Sequence, residues 1–203
     1  MSKIGIIMLP GANIHAVSYW VKRCGIEVSL VSDPKEISNL NCLILPGVGA
    51  FDTAMSYLDN QCFRQAIVAY ARSGGLIVGI CLGMQILFES SDEGSAAGLG
   101  LLEGRVRRIP CGEYRVPNIG WRHVSNIVDG SVYASSSFFF MHSYGMLVSE
   151  FLASNACSLL GTVDCNVPLV AAFRKENLIG FQYHPEKSYT AGEHLLSEII
   201  HAI

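Results

Sequence analysis

Leu76-Ile77-Val78-Gly79-Ile80-Cys81-Leu82-Gly83 runs from an apolar stretch into a cysteine with glycine two residues away on each side. A short apolar run ended by a glycine-marked turn is the pattern of a strand buried on both faces of a parallel sheet. A G-x-C-x-G turn after such a strand predicts a nucleophile elbow. There the chain bends so sharply from strand to helix that side chains two positions from the nucleophile would collide. The turn lifts the sulfur to the carboxyl end of the sheet, where open α/β folds form their crevices. A helix over Met84 to Glu89 is expected next, its N-terminus favouring a thiolate together with a nearby imidazole.

Upstream, Ile4 to Leu9 reads as a first buried strand. Ile14, Val17, Val21 and Cys24 keep helical spacing behind Asn13, a suitable N-cap. Glu27 to Val31 alternates as a second strand, and Cys42 to Leu45 is a third, cut off by Pro46-Gly47. Phe63, Ala66, Ile67 and Tyr70 mark a helix stopped by Gly74-Gly75, with the Leu76 to Ile80 strand after it. This βα alternation predicts a three-layer, flavodoxin-like α/β fold with a mostly parallel sheet. The second half changes character. Short runs at Val132-Tyr133, Phe138 to Met141, Leu169 to Phe173 and Leu178 to Tyr183 suggest antiparallel additions, the last two joined by a Lys175-Glu176-Asn177 turn. Glu193 to Ile203 closes as a helix.

The chain has 203 residues, 50% of them hydrophobic and 15% charged, and a net charge of −3. These values predict one domain over residues 1–203, with no basic surface for nucleic acid. No apolar run approaches the ~20 residues needed to span a bilayer. Seven cysteines form no C-x-x-C pair. With no targeting segment and no zinc spacing, the expectation is a reduced cytoplasmic protein without metal or cofactor.

A lone cysteine is usually a small buried hydrophobe. Here the chain also supplies His184-Pro185-Glu186 after an apolar strand. Proline holds the residue before it extended, which fixes how the imidazole projects. Glu186 is placed to accept from the far ring nitrogen and set the tautomer. Leu45-Pro46-Gly47-Val48-Gly49 is a third element, a strand ending in a glycine-rich loop. Its free N–H groups, with that of Leu82, suit a developing oxyanion. A phosphate cradle is the other reading of such glycines, but no G-K-[ST] follows.

Taken in this order, the three elements resemble the class I, triad-type glutamine amidotransferases. The similarity extends through Gly98-Leu99-Gly100, Gly120-Trp121, His142-Ser143-Tyr144 and His184-Pro185-Glu186-Lys187-Ser188. Leu45 to Phe51 and Pro117 to Trp121 resemble more narrowly the glutaminase subunits of imidazole glycerol phosphate synthases. The resemblance implies that Cys81 attacks L-glutamine, with His184 as acid and base and Glu186 as its orienter. It implies Val48 as an oxyanion donor after a peptide reorientation, beside Leu82. Glutamine binding would fall to Gly49, Gln85, Glu93, His142, Ser143 and Tyr144. It also implies a heterodimer with a (β/α)8-barrel cyclase that uses the ammonia to make imidazole glycerol phosphate and aminoimidazole carboxamide ribotide. Asn13, Trp121 and Lys187 match positions at that interface. The loop after strand one departs from the family's G-x-G-N or G-P-G-N, reading Pro10-Gly11-Ala12-Asn13. A paralogue serving another synthase, a stand-alone cysteine hydrolase and a non-catalytic binding subunit are the alternatives.

Overall fold

A computed structural model describes residues 3–126, 137–155 and 158–201. The Val132-Tyr133 run and Cys157 lie outside the described residues. In chain order the strands are β1 (Ile4–Ile7), β2 (Val28–Val31), β3 (Cys42–Leu45), β4 (Leu76–Ile80), β5 (Phe88–Ser91), β6 (Leu102–Arg108) and β7 (Asn118–His123). They continue as β8 (Ser125–Asn126), β9 (Ser137–His142), β10 (Tyr144–Gly145), β11 (Ser158–Asp164), β12 (Pro168–Lys175) and β13 (Leu178–Phe181). The α-helices are α1 (Ile14–Arg23), α2 (Phe51–Asn60), α3 (Phe63–Arg72), α4 (Leu82–Gln85), α5 (Val148–Ser154) and α6 (Tyr189–His201).

The main sheet has the order β2-β1-β3-β4-β13-β12-β11-β8. From β2 to β13 every pairing is parallel, while β12, β11 and β8 add on antiparallel. The first five positions have the doubly wound, flavodoxin-like arrangement. Along β3 and β4 successive side chains enter opposite cores. Leu43, Leu45 and Ile77 face α2 and α3, whereas Cys42, Ile44 and Val78 pack with Val17 and Trp20 of α1 and Leu195 of α6. Helices therefore cover both faces of an apolar sheet, as parallel strands require. The Trp20 Nε1–H donates to the Gly192 carbonyl at 2.8 Å, tying α1 to α6.

Several features differ from the sequence-based expectation. The helix after the elbow is a single turn, Leu82–Gln85, and Phe88–Ser91 is a strand paired in parallel with β6. Met84, Ile86, Leu87 and Phe88 are all fully buried, so this run has no apolar face whose period would separate helix from strand. Helix α2 is an addition, although Phe51, Ala54, Met55 and Leu58 carry helical spacing and are its buried residues. The last helix begins four residues earlier than expected, at Tyr189. The hairpin joining β12 to β13 turns over Glu176 and Asn177, with Glu176 at φ 52°. Among the described residues no helix is long and apolar enough to cross a membrane.

Candidate active site

The carboxyl ends of β4 and β13 lie side by side and carry the two central residues, Cys81 and His184. Cys81 sits at φ 51°, ψ −108°, a strained position for a side chain, and its N–H is held by the Phe181 carbonyl at 2.7 Å. The flanking glycines are sterically required. A Cβ on Gly79 would lie 2.7 Å from the Met84 Cα, and one on Gly83 would run into the Leu45 carbonyl oxygen. The elbow is thus wedged between the start of its own helix and the end of β3. With only one helical turn behind it, the sulfur gains the free N–H groups of that turn and little of the dipole a longer helix would build.

His184 is locked by its neighbours. Its N–H donates to the Phe139 carbonyl at 2.8 Å, and Ser188 Oγ donates to the His184 carbonyl at 2.6 Å. The His184 and Glu186 side chains are 1% and 2% exposed, with Nδ1 2.8 Å from Glu186 Oε1. Nε2 has no hydrogen-bond partner among the described residues and is turned to the Cys81 sulfur. Burial pushes the imidazole toward the neutral form, but the nearby Cys81 sulfur, and then the bonded Glu186 carboxylate, outweigh it and raise His184 to about 10. The arrangement therefore favours the imidazolium form of His184.

A cavity of about 250 Å³ opens over the sulfur, lined by Val48, Gly49, Cys81, Leu82, Gln85, Glu93, Pro117, Ile119, Met141, His142, Ser143 and Tyr144. All the residues named from the sequence for glutamine and for the oxyanion are brought together here. The Val48 N–H has no backbone partner among the described residues, and Gly49 sits at φ 128°, open to glycine but strained for other residues. Gly11 lies beneath this loop, so close that a Cβ there would be 2.9 Å from the Val48 oxygen. A larger hollow of about 720 Å³ lies at the amino end of β4, between Pro34–Asn39 and α3, and holds none of these side chains.

Within the cavity wall, Gln85 Nε2 donates to the Tyr144 carbonyl at 2.8 Å and to Gln182 Oε1 at 3.2 Å. His142 has both ring nitrogens engaged, with the Tyr144 carbonyl at 2.8 Å and Asn118 Nδ2 at 3.0 Å. Burial pushes His142 down to about 4, the bond to Tyr144 opposing and the charge on His184 assisting. It is neutral, and it lines the cavity as a braced ring. Burial raises Glu93, its bond from the Phe51 N–H (3.0 Å) opposing and Asp52 adding to the rise.

Gln182 and Asn118 were missed in the sequence, although both are buried polar residues of this wall. The only signal for Gln182 was an amide inside an otherwise apolar strand. Of the three interface positions, Trp121 packs edge-on against Phe139 (6.0 Å) and Lys187 Nζ lies 5.6 Å over the same ring. Asn13 caps α1, its Oδ1 accepting the Ala16 N–H at 3.1 Å.

Residues 11–202 match the family model for glutamine amidotransferase class-I. The chain belongs to the class-I glutamine amidotransferase family. Among curated relatives, the amidotransferase is 36% identical to an imidazole glycerol phosphate synthase subunit HisH of Prochlorococcus marinus, over 96% of this chain and 92% of that one. It is 38% identical to the subunit of the same name from Desulfitobacterium hafniense, over 95% and 91% of the two chains. The subunit of that name from Cyanidioschyzon merolae is 34% identical over 98% and 97%. Among solved structures, a crystal structure of a glutamine amidotransferase superposes with TM-score 0.77 at 20% identity, covering 98% and 97% of the chains. PurLQS from Thermotoga maritima gives TM-score 0.73 at 19% identity, with coverage of 99% and 98%. At those identities the structures speak for the fold alone.

Proposed function

We propose that residues 1–203 form one glutaminase domain, the glutamine-hydrolysing subunit of an imidazole glycerol phosphate synthase. The observation that carries this reading is Cys81 at the elbow, facing a His184 imidazole that is buried and held on Glu186 at 2.8 Å. The Cys81 thiolate attacks the side-chain amide carbon of L-glutamine. The oxyanion that forms is met by N–H groups of Leu82 and, after its peptide turns, Val48. His184 imidazolium protonates the departing nitrogen, the C–N bond breaks, and ammonia leaves a γ-glutamyl thioester on Cys81. His184, now neutral, takes a proton from water as its oxygen attacks the thioester. Collapse expels the thiolate and releases glutamate. Gln85, whose Oε1 accepts from no described residue, Glu93, and the Ser143 and Gly49 backbone line the space for the amino-acid end of the substrate.

The ammonia acceptor is a (β/α)8-barrel cyclase bound as the second subunit of a heterodimer in the reducing cytoplasm. Beside the cavity, Ile119 is 57%, Trp121 48% and Tyr189 78% exposed, with Trp121 and Tyr189 stacked at 5.7 Å. An exposed apolar patch of this kind marks a docking surface, and ammonia sealed beneath it escapes protonation by bulk water.

The decisive experiment uses the complex reconstituted with the cyclase. Cys81→Ala abolishes synthesis from glutamine and leaves synthesis from ammonium salts intact. Loss of both together would place Cys81 in the scaffold instead of the chemistry.

A further inference from the structure

Gln182 is fully buried, two residues before His184, and neither the proton transfers nor the substrate contacts described above use it. Its backbone N–H donates to the Ala171 carbonyl at 2.9 Å, so the strand itself is satisfied without the side chain. The carboxamide spans two polar partners. Oε1 is 3.2 Å from Gln85 Nε2, and Nε2 is 3.7 Å from Cys81 Sγ.

The direction of these bonds follows from one group that cannot reverse. The Tyr144 carbonyl only accepts, so the Gln85 atom 2.8 Å from it is the amino nitrogen. That nitrogen also meets Gln182, whose facing atom must therefore be the oxygen. The amino end of Gln182 is left pointing at the sulfur. A neutral Cys81 thiol has the Met141 carbonyl, 3.8 Å away, to donate to. A thiolate has no proton to give and accepts from Gln182 instead.

We infer that Gln182 is a positioning residue for the nucleophile: the Tyr144 carbonyl, acting through Gln85, aims the Gln182 N–H at the Cys81 thiolate. This deepens the glutaminase reading and rests on it. Gln85 joins the two sides of the chemistry, because its nitrogen sets the donor to the sulfur while its oxygen is left for the substrate. A hydrogen bond to a charged acceptor is stronger than one to a neutral partner, so the contact stabilises the thiolate over the thiol. The titratable groups around the sulfur are His184, with Glu186 behind it, and His142, Glu93 and Tyr144 lining the cavity. All five remain in the variants below.

The test is the pH dependence of Cys81 alkylation by iodoacetamide in the full chain, read by mass spectrometry of the Cys81 peptide. Gln182→Met keeps the volume and removes the donor, and the midpoint rises by about one pH unit, a tenfold loss of thiolate below it. Gln182→Glu keeps the acceptor for Gln85 but sets an oxygen against the sulfur, and raises the midpoint further. Gln85→Met, which unties Gln182 without altering it, gives a smaller rise and serves if the Gln182 variants fail to fold. A midpoint unchanged in the folded variants, even with a lowered melting temperature, overturns the inference and leaves Gln182 a packing residue. The readout needs no glutamine. Failure of the glutaminase reading would show instead as a wild-type complex that alkylates normally but releases no ammonia from glutamine.

Discussion

The two walls of the cavity are built to different standards. One wall, formed by the ends of β4, β9 and β13, is closed and densely bonded: Cys81, His142, Gln182 and His184 are all buried, and their side-chain polar atoms have a partner or face the sulfur. The other, formed by the loop after β3, is loose. Val48 is only half-buried, its N–H has no partner among the described residues, and Gly49 is exposed at φ 128°. It lines the cavity together with Ile119, which is exposed. Cys81 and His184 are thus held in place within this chain alone, while the Val48 N–H is not. On the proposed function, such a chain is expected to hydrolyse little glutamine alone and to gain activity when the proposed partner orders the loose wall.

The largest effect should come from breaking the bonded wall. Glu186→Gln keeps the shape but offers Nδ1 an amide in place of a carboxylate, so the tautomer and the imidazolium lose their support. Glutamine turnover in the complex should fall by about 1,000-fold with ammonium-dependent synthesis unchanged. A fall below tenfold would mean that Glu186 only spaces the turn. The next largest effect is on stability. His142 is held at about 4 in the fold against 6.5 when free, so between these values the unfolded chain binds a proton that the folded chain refuses. Stability present above pH 6.5 is therefore lost as pH falls toward 4, by at most about 3 kcal/mol. Urea unfolding across this range measures the loss, and His142→Gln should remove it. Gly49→Ala touches only the loose wall. The Cβ resists the turning of the Val48–Gly49 peptide, and partner-stimulated turnover should drop by about 100-fold while Cys81 alkylation stays as in the wild type. Equal loss with and without the partner would show that this wall, too, is set in advance.

The same contrast separates what was legible in the chain from what was not. Strands β1, β3 and β4 were readable because strands buried on both faces are short, apolar and closed by glycine or proline. Cys81, His184 and Glu186 were readable because their chemistry needs a fixed local context: a glycine two residues on either side, or a proline next door. The helix expected over Met84 to Glu89 stops at Gln85 and gives way to a strand at Phe88, since burial on all sides erases the period that distinguishes helix from strand. Gln182 and Asn118 were invisible because an amide in a strand announces nothing until its partner is known, and those partners are 97 and 24 residues away.

By itself, then, the sequence determined a doubly wound sheet, a cysteine at its carboxyl edge and the glutamine amidotransferase family. These follow from local rules of backbone shape and from motifs a few residues long. Tertiary structure alone decided that β13 lies beside β4, so that His184 meets Cys81, and that the carbonyl of Tyr144 orients two glutamines toward the sulfur. Those results depend on which distant strands pair and which lone hydrogen-bonding atoms they bring within about 3 Å, and no local pattern encodes that.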